Sequence, residues 1–156
     1  GPLARKELAE QLHQQVEASL EMGAKLEIGG SYRDSFYEPT ILTDVEPGMA
    51  VFDEETFGPV AAVARVADDD EAFELANRSR YGLGVTLFSD DVDKALRYAD
   101  RVGDGSYFIN ELVKSDPRLP FGGTRRSGYG RELSQEGIRE FVNAKTVYIM
   151  ERQGSA

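Results

Sequence analysis

Two short runs hold the residue types that could do chemistry. The first, Glu54-Glu55-Thr56-Phe57-Gly58-Pro59-Val60, sets a carboxylate and an aromatic ring just ahead of a Gly-Pro turn, which fixes where both side chains aim. On its own, an acidic residue at such a turn is usually only solvated. The second, Leu119-Pro120-Phe121-Gly122-Gly123-Thr124-Arg125-Arg126-Ser127-Gly128-Tyr129-Gly130-Arg131-Glu132, is rich in glycine and arginine. It is no phosphate loop. Gly128 is followed by Tyr129-Gly130, where a Walker motif needs Lys and then Ser or Thr, and no strand-to-helix junction frames it as a dinucleotide fingerprint requires. Shaping of the backbone is the better reading, with Phe121 as an aromatic that steadies the loop. Ahead of it, residues 111–118 offer the Ser115 hydroxyl and the cations Lys114 and Arg118, polar groups that a surface loop can carry without any role. His13 is the sole histidine; with no second histidine and no acidic partner it reads as a surface residue rather than a metal ligand or base. There is no cysteine, which excludes disulfides, thiolate metal sites and a cysteine nucleophile within this chain.

These runs must be held by a globular frame. A chain of 156 residues with 40% hydrophobic and 29% charged content can bury a sizeable core and is not of disordered composition. Its 28 acidic against 18 basic residues give a net charge of −10, which argues against nucleic-acid binding driven by phosphate neutralisation. No apolar run approaches the roughly 20 residues of a membrane helix, and Gly1-Pro2-Leu3-Ala4-Arg5 lacks the apolar stretch of a signal peptide. The expectation is a cytoplasmic protein with no membrane partner.

Residues 3–22 are expected as an amphipathic helix, since Leu8, Leu12, Val16 and Leu20 recur every four residues, with Gly23 as its cap. Residues 25–28 and 37–42 read as short strands. Then comes an alternation of strand 60–66, helix 68–77, strand 84–88, a helix capped by Asp90 or Asp91 running to 101, and strand 105–110. This is an α/β pattern, β-α-β-α-β, with crossovers long enough for parallel strands. The acids 68–71 fit the helix start, where the macrodipole favours them. Ligands of open parallel sheets sit beyond the carboxyl ends of the strands, which places loop 111–120 at the active face. Ser134 should cap a last helix with Gly137 as its weak point, and residues 144–150 should form a closing strand covered on both faces, with another subunit as a candidate cover.

The two runs, together with Tyr37-Glu38-Pro39-Thr40, Tyr81-Gly82-Leu83-Gly84 and Phe141-Val142-Asn143-Ala144-Lys145-Thr146, resemble the C-terminal part of an aldehyde dehydrogenase catalytic domain. The run from Val113 to Gly123 is similar to the succinate-semialdehyde dehydrogenase branch. The resemblance implies NAD or NADP as cofactor and a small aldehyde as substrate. In that chemistry a cysteine thiolate attacks the aldehyde, hydride passes to nicotinamide, and water activated by a glutamate releases the acid. Nucleophile, general base and dinucleotide domain all precede this stretch in the family order, so no catalytic residue is assigned here and the chain alone is expected to be inactive. Glu55 would hydrogen-bond the ribose beside nicotinamide, as an acceptor pair facing two hydroxyls, with Phe57 packing near the ring. Phe121 would line the aldehyde pocket, and Ser115 would help hold the distal carboxylate. The implied layout is catalytic-domain chain over 1–143, an oligomerisation-arm strand over 144–150 and a tail over 151–156, within a homodimer or homotetramer. The competing reading is a stand-alone, non-catalytic interaction or oligomerisation module derived from that fold.

Overall fold

The computed structural model describes residues 1–150; the expected tail lies outside the described residues. The chain divides into two compact units, one of residues 1–80 with 100–102, the other of 81–99 and the chain from 103 onward.

In the first unit, helix α1 (Lys6–Glu21) buries Ala9, Leu12, Val16 and Ser19, while Leu8 and Leu20 are half-buried at the rim. Gly23, at φ 112, turns the chain out of the helix, and its N–H reaches the Leu20 carbonyl at 3.0 Å. Strand β1 (Lys25–Ile28) follows. The strand expected over 37–42 is two strands, because Pro39 has no N–H to give a ladder. A hairpin of β2 (Tyr32–Arg33) and β3 (Phe36–Tyr37), turned at Asp34 with φ 54, precedes Pro39. Strand β4 (Thr40–Thr43) follows it, antiparallel to β1 and parallel to β5 (Val60–Ala62). Between them lies one turn of helix, α2 (Ala50–Asp53). Leu12, Val16, Tyr37, Leu42, Val45, Met49 and Val51 form the core; each fully buried Leu or Val contributes roughly 1.5–3 kcal/mol. Helix α3 (Asp69–Asn77) starts at Asp68, whose carboxylate accepts the Glu71 N–H at 2.9 Å while the Glu71 carboxylate accepts that of Ala67 at 2.5 Å.

In the second unit, β6 (Tyr81–Gly82) pairs antiparallel with β9 (Thr124–Arg125). Strand β7 (Val85–Leu87), helix α4 (Val92–Arg97) and strand β8 (Tyr107–Ile109) make a β-α-β crossover with parallel strands. Asp91, not Asp90, caps α4, accepting the Lys94 N–H at 2.8 Å. The chain is thus mixed α/β. The first strand of the expected alternation, β5, takes β4 as its partner and not β7: an apolar run marks a strand but does not name its neighbour.

Two expectations for the last helix are corrected. In α5 (Ser134–Arg139), Gly137 is no weak point; it is buried, and a Cβ there would stand 2.9 Å from the backbone carbon of Glu132, so glycine is what permits the close approach. Ser134, expected as the cap, is the first residue of the helix at φ 52, one position beyond the N-cap Leu133, and its Oγ accepts the Glu136 N–H at 3.3 Å. Residues 144–150 form no strand, and Val147, Tyr148, Ile149 and Met150 are each at least three-quarters exposed. A strand needs a ladder partner, and among the described residues that run has none; the expected arm strand calls for a partner from another subunit.

Candidate functional site

The Glu54–Val60 loop hangs between α2 and β5 and is fastened at both ends. Gly58 N–H donates to the Thr56 carbonyl at 3.0 Å, Val60 N–H to the Gly58 carbonyl at 2.8 Å, and Thr40 N–H to the Pro59 carbonyl at 2.9 Å. Gly58 lies against α1: a Cβ there would run into Leu12 Cδ2. On the other side, Gln15 Nε2 donates to Glu54 Oε2 at 2.9 Å and to the Glu55 carbonyl at 3.2 Å. The backbone is held, yet the Glu55 carboxylate is exposed with no hydrogen-bond partner among the described residues, and the Phe57 ring is 67% exposed. An open pair of acceptor oxygens and an open aromatic face on one loop suit a ligand with adjacent hydroxyls and a flat ring.

In the second unit the carboxyl ends of β7 and β8 are tied together. Ser89 N–H donates to Asn110 Oδ1 and Asn110 Nδ2 to the Ser89 carbonyl, both at 2.8 Å. The loop expected after β8 is present and is ordered by its own charges. Lys114 Nζ lies 2.8 Å from Glu111 Oε2. Arg118 grips Asp116 through Nε at 2.9 Å and Nη2 at 2.6 Å, and its backbone N–H donates to the same carboxylate. The hydrogen bond from Lys114 lowers the Glu111 carboxyl, and the Arg118 guanidinium holds Asp116 well below the usual carboxylate range. Both cations of the loop are therefore engaged by neighbouring acids, whereas the Ser115 hydroxyl is exposed and makes no hydrogen bond among the described residues.

Phe121 is half-buried and exchanges two backbone hydrogen bonds with Glu132, each 2.8 Å. It lines a cleft of about 390 Å³ with Leu83, Tyr129, Arg131, Glu140 and Phe141. Arg131 Nη1 donates to the Gly123 and Gly130 carbonyls at 3.0 and 2.7 Å, which sets the curve of the glycine run. Ser115 does not line that cleft. Glu55 and Phe57 thus share one loop of the first unit, while Ser115 and Phe121 stand on separate parts of the second. Sequence reasoning passed over Gln15, Ser19 and Asn110. The signal for Ser19 was available: it lies three residues after Val16 and seven after Leu12, on the face that had to be buried. Among the described residues no three or more His, Asp or Glu side chains are grouped to hold a metal, and no helix is long and apolar enough to cross a membrane.

The chain matches the aldehyde dehydrogenase family over residues 1–147. It is 49% identical over 150 residues to an NADP(+) succinate-semialdehyde dehydrogenase of Deinococcus radiodurans, a match covering 94% of this chain and 31% of that protein. It is 46% identical over 151 residues to the NAD(P)+ succinate semialdehyde dehydrogenase Sad of Escherichia coli K12, covering 95% of this chain and 33% of the relative. The crystal structure of succinic semialdehyde dehydrogenase from Streptococcus pyogenes with NADP+ superposes with a TM-score of 0.89 at 39% identity, over 96% of this chain and 34% of that one. The chain therefore spans about a third of the length of the relatives it matches. With the family profile running from Gly1 almost to the last described residue, this chain belongs to the aldehyde dehydrogenase family.

Proposed function

We propose that the chain is the C-terminal portion of an NAD(P)-dependent aldehyde dehydrogenase that oxidises succinate semialdehyde to the acid. The observation that carries the reading is the Glu54–Val60 loop: a backbone fastened by hydrogen bonds carries, two residues apart, an exposed carboxylate without a hydrogen-bond partner among the described residues and an exposed phenyl ring. Glu55 accepts hydrogen bonds from the ribose hydroxyls, and Phe57 packs against the nicotinamide end of the cofactor. The donor set fits that group, since two acceptor oxygens match two hydroxyls and an aromatic face matches a flat ring. When bound, nicotinamide supplies the hydride acceptor.

Phe121 walls the aldehyde cleft and keeps water from it, and the Ser115 hydroxyl donates to the distal carboxylate of the substrate. The names of the relatives support succinate semialdehyde as that substrate and NADP or NAD as the cofactor. Leu83, Phe88, Leu96, Leu112, Leu119 and Phe141 are exposed in the second unit, and such a surface supports covering by further protein. Residues 1–143 then serve as catalytic-domain chain and residues 144–150 as the arm through which protomers assemble as a cytoplasmic homo-oligomer. The test is absorbance of reduced cofactor on adding succinate semialdehyde to the full-length enzyme and to this chain alone. The reading expects turnover from the first and none from the second, which has no cysteine; turnover by this chain alone overturns it.

A further inference from the structure

One stripe of α1 touches the segment from α2 to the Gly-Pro turn at three successive points. Ser19 is fully buried; its Oγ accepts the Val51 N–H at 3.1 Å and donates to the Gln15 carbonyl at 2.8 Å. It thereby caps the start of α2, whose own N-cap residue, Met49, makes no side-chain cap. One turn earlier, Gln15 Nε2 holds Glu54 Oε2 and the Glu55 carbonyl beyond the end of α2. A further turn back, Leu12 fills the space where any side chain at position 58 would sit. The spacing 12, 15, 19 puts all three on one helical face, and they meet residues 58, 54–55 and 51 in reverse order. The helix is a rail against which the loop is laid.

We infer that Gln15 and Ser19 are positioning residues for the Glu55 loop, setting where the Glu55 carboxylate and the Phe57 ring stand against the cofactor. The inference rests on the reading of Glu55 as the ribose acceptor. Neither residue touches the cofactor; both act through the backbone of residues 51–55. Of the two, Gln15 is decisive. Among the described residues it alone binds the carbonyl of Glu55 itself, and a single amide group reaches both the side chain of one residue and the backbone of the next. Small displacements of a group that orients a reacting partner cost far more in rate than in stability.

The test uses the full-length enzyme in four forms: wild type, Gln15→Glu, Gln15→Lys and Glu55→Gln. Gln15→Glu keeps the shape but replaces the donor with an acceptor facing Glu54; Gln15→Lys restores a donor. Amide hydrogen exchange of the peptide covering residues 51–58 and single-turnover hydride transfer are read together. The expected result is faster exchange confined to residues 54–57 in Gln15→Glu. Hydride transfer should be slowed about tenfold, the scale of one charge-assisted hydrogen bond, with little change in the KM for aldehyde and with substantial recovery in Gln15→Lys. Unchanged hydride transfer in Gln15→Glu while Glu55→Gln slows it overturns the positioning role and leaves the Glu55 reading standing. Unchanged hydride transfer in both variants overturns the Glu55 reading and the positioning role with it. A rise in exchange spread equally over β1 and β4 also overturns it, since that is the mark of general destabilisation.

Discussion

Gly58→Ala probes the contact on which the loop geometry depends. The backbone at Gly58 has an ordinary φ, so alanine suffers no conformational strain there; the obstacle is space. Its Cβ would run into Leu12 Cδ2 and come within 3.5 and 3.6 Å of the Leu3 methyls. Leu12 is 1% exposed, packed in the core cluster with Val16, Tyr37 and Leu42, so its terminal methyl cannot swing away freely. Overpacking of this kind costs about 1–3 kcal/mol. The unfolded chain loses freedom when glycine becomes alanine, which returns about 0.4–1 kcal/mol. The net expectation is a destabilisation of roughly 0.5–2 kcal/mol. A double-mutant cycle isolates the cause. Leu12→Val deletes the offending atom at a cost of about 1 kcal/mol or somewhat more, and in that background Gly58→Ala should be nearly neutral. Urea denaturation of the four proteins should therefore show a coupling of about 1 kcal/mol. Strict additivity of the two substitutions would refute the claim that Leu12 and Gly58 define the seat of the loop.

Thr40 is 2% exposed, accepts the Gly30 N–H and donates to the Glu38 carbonyl, both at 2.8 Å; Thr40→Val strands both groups and should destabilise by about 1–3 kcal/mol in the same denaturation assay. Tyr37 is pushed up to about 12, first by burial and then by the charge of Glu17. A tyrosine raised in the folded state contributes stability that is intact below pH 10 and is lost as the pH climbs from 10 through 12. Ultraviolet titration should show a late tyrosinate near pH 12 that is lost in Tyr37→Phe, a substitution that should also flatten the alkaline loss of stability. Gly105→Ala would drive its Cβ into the backbone carbonyl of Gly122, which cannot yield as a side chain can; the variant should melt well below the wild type in a thermal scan, whereas Gly128→Ala, with open space around its Cβ and only its positive φ to strain it, should lose less.

The parts legible in the sequence were those whose signal is local. The four-residue recurrence in α1 and its terminal glycine gave the helix to within a few residues at its start, and the acids at 68–71 marked the start of α3 because a cap is a short-range device. The carboxyl end of β8 and the loop beyond it followed from parallel topology. What the sequence withheld was long-range. The partner of β5 is decided across twenty residues, Thr40 to Val60, and the split at Pro39 depends on β3 finding a hairpin partner in β2. Gly137 reads as a helix breaker until its neighbour, the Glu132 backbone, is known. Glu55 and Phe57 were singled out by motif and turn, but the side chain that holds the Glu55 backbone, Gln15, lies 40 residues away and carries no pattern of its own. The cations Lys114 and Arg118 had no role that the sequence could fix; the structure pairs them with Glu111 and Asp116.

The central claim is that the exposed Glu55 carboxylate on its fastened loop orients the nicotinamide cofactor. Its most direct test is single-turnover hydride transfer in Glu55→Gln of the full-length enzyme, with cofactor and succinate semialdehyde saturating. Glutamine keeps the shape and one acceptor oxygen and turns the other into a donor facing a hydroxyl. The loss of one charge-assisted hydrogen bond, about 1.5–3 kcal/mol, predicts a rate lower by roughly tenfold to a hundredfold, with wild-type stability. A rate equal to that of the wild type would contradict the account.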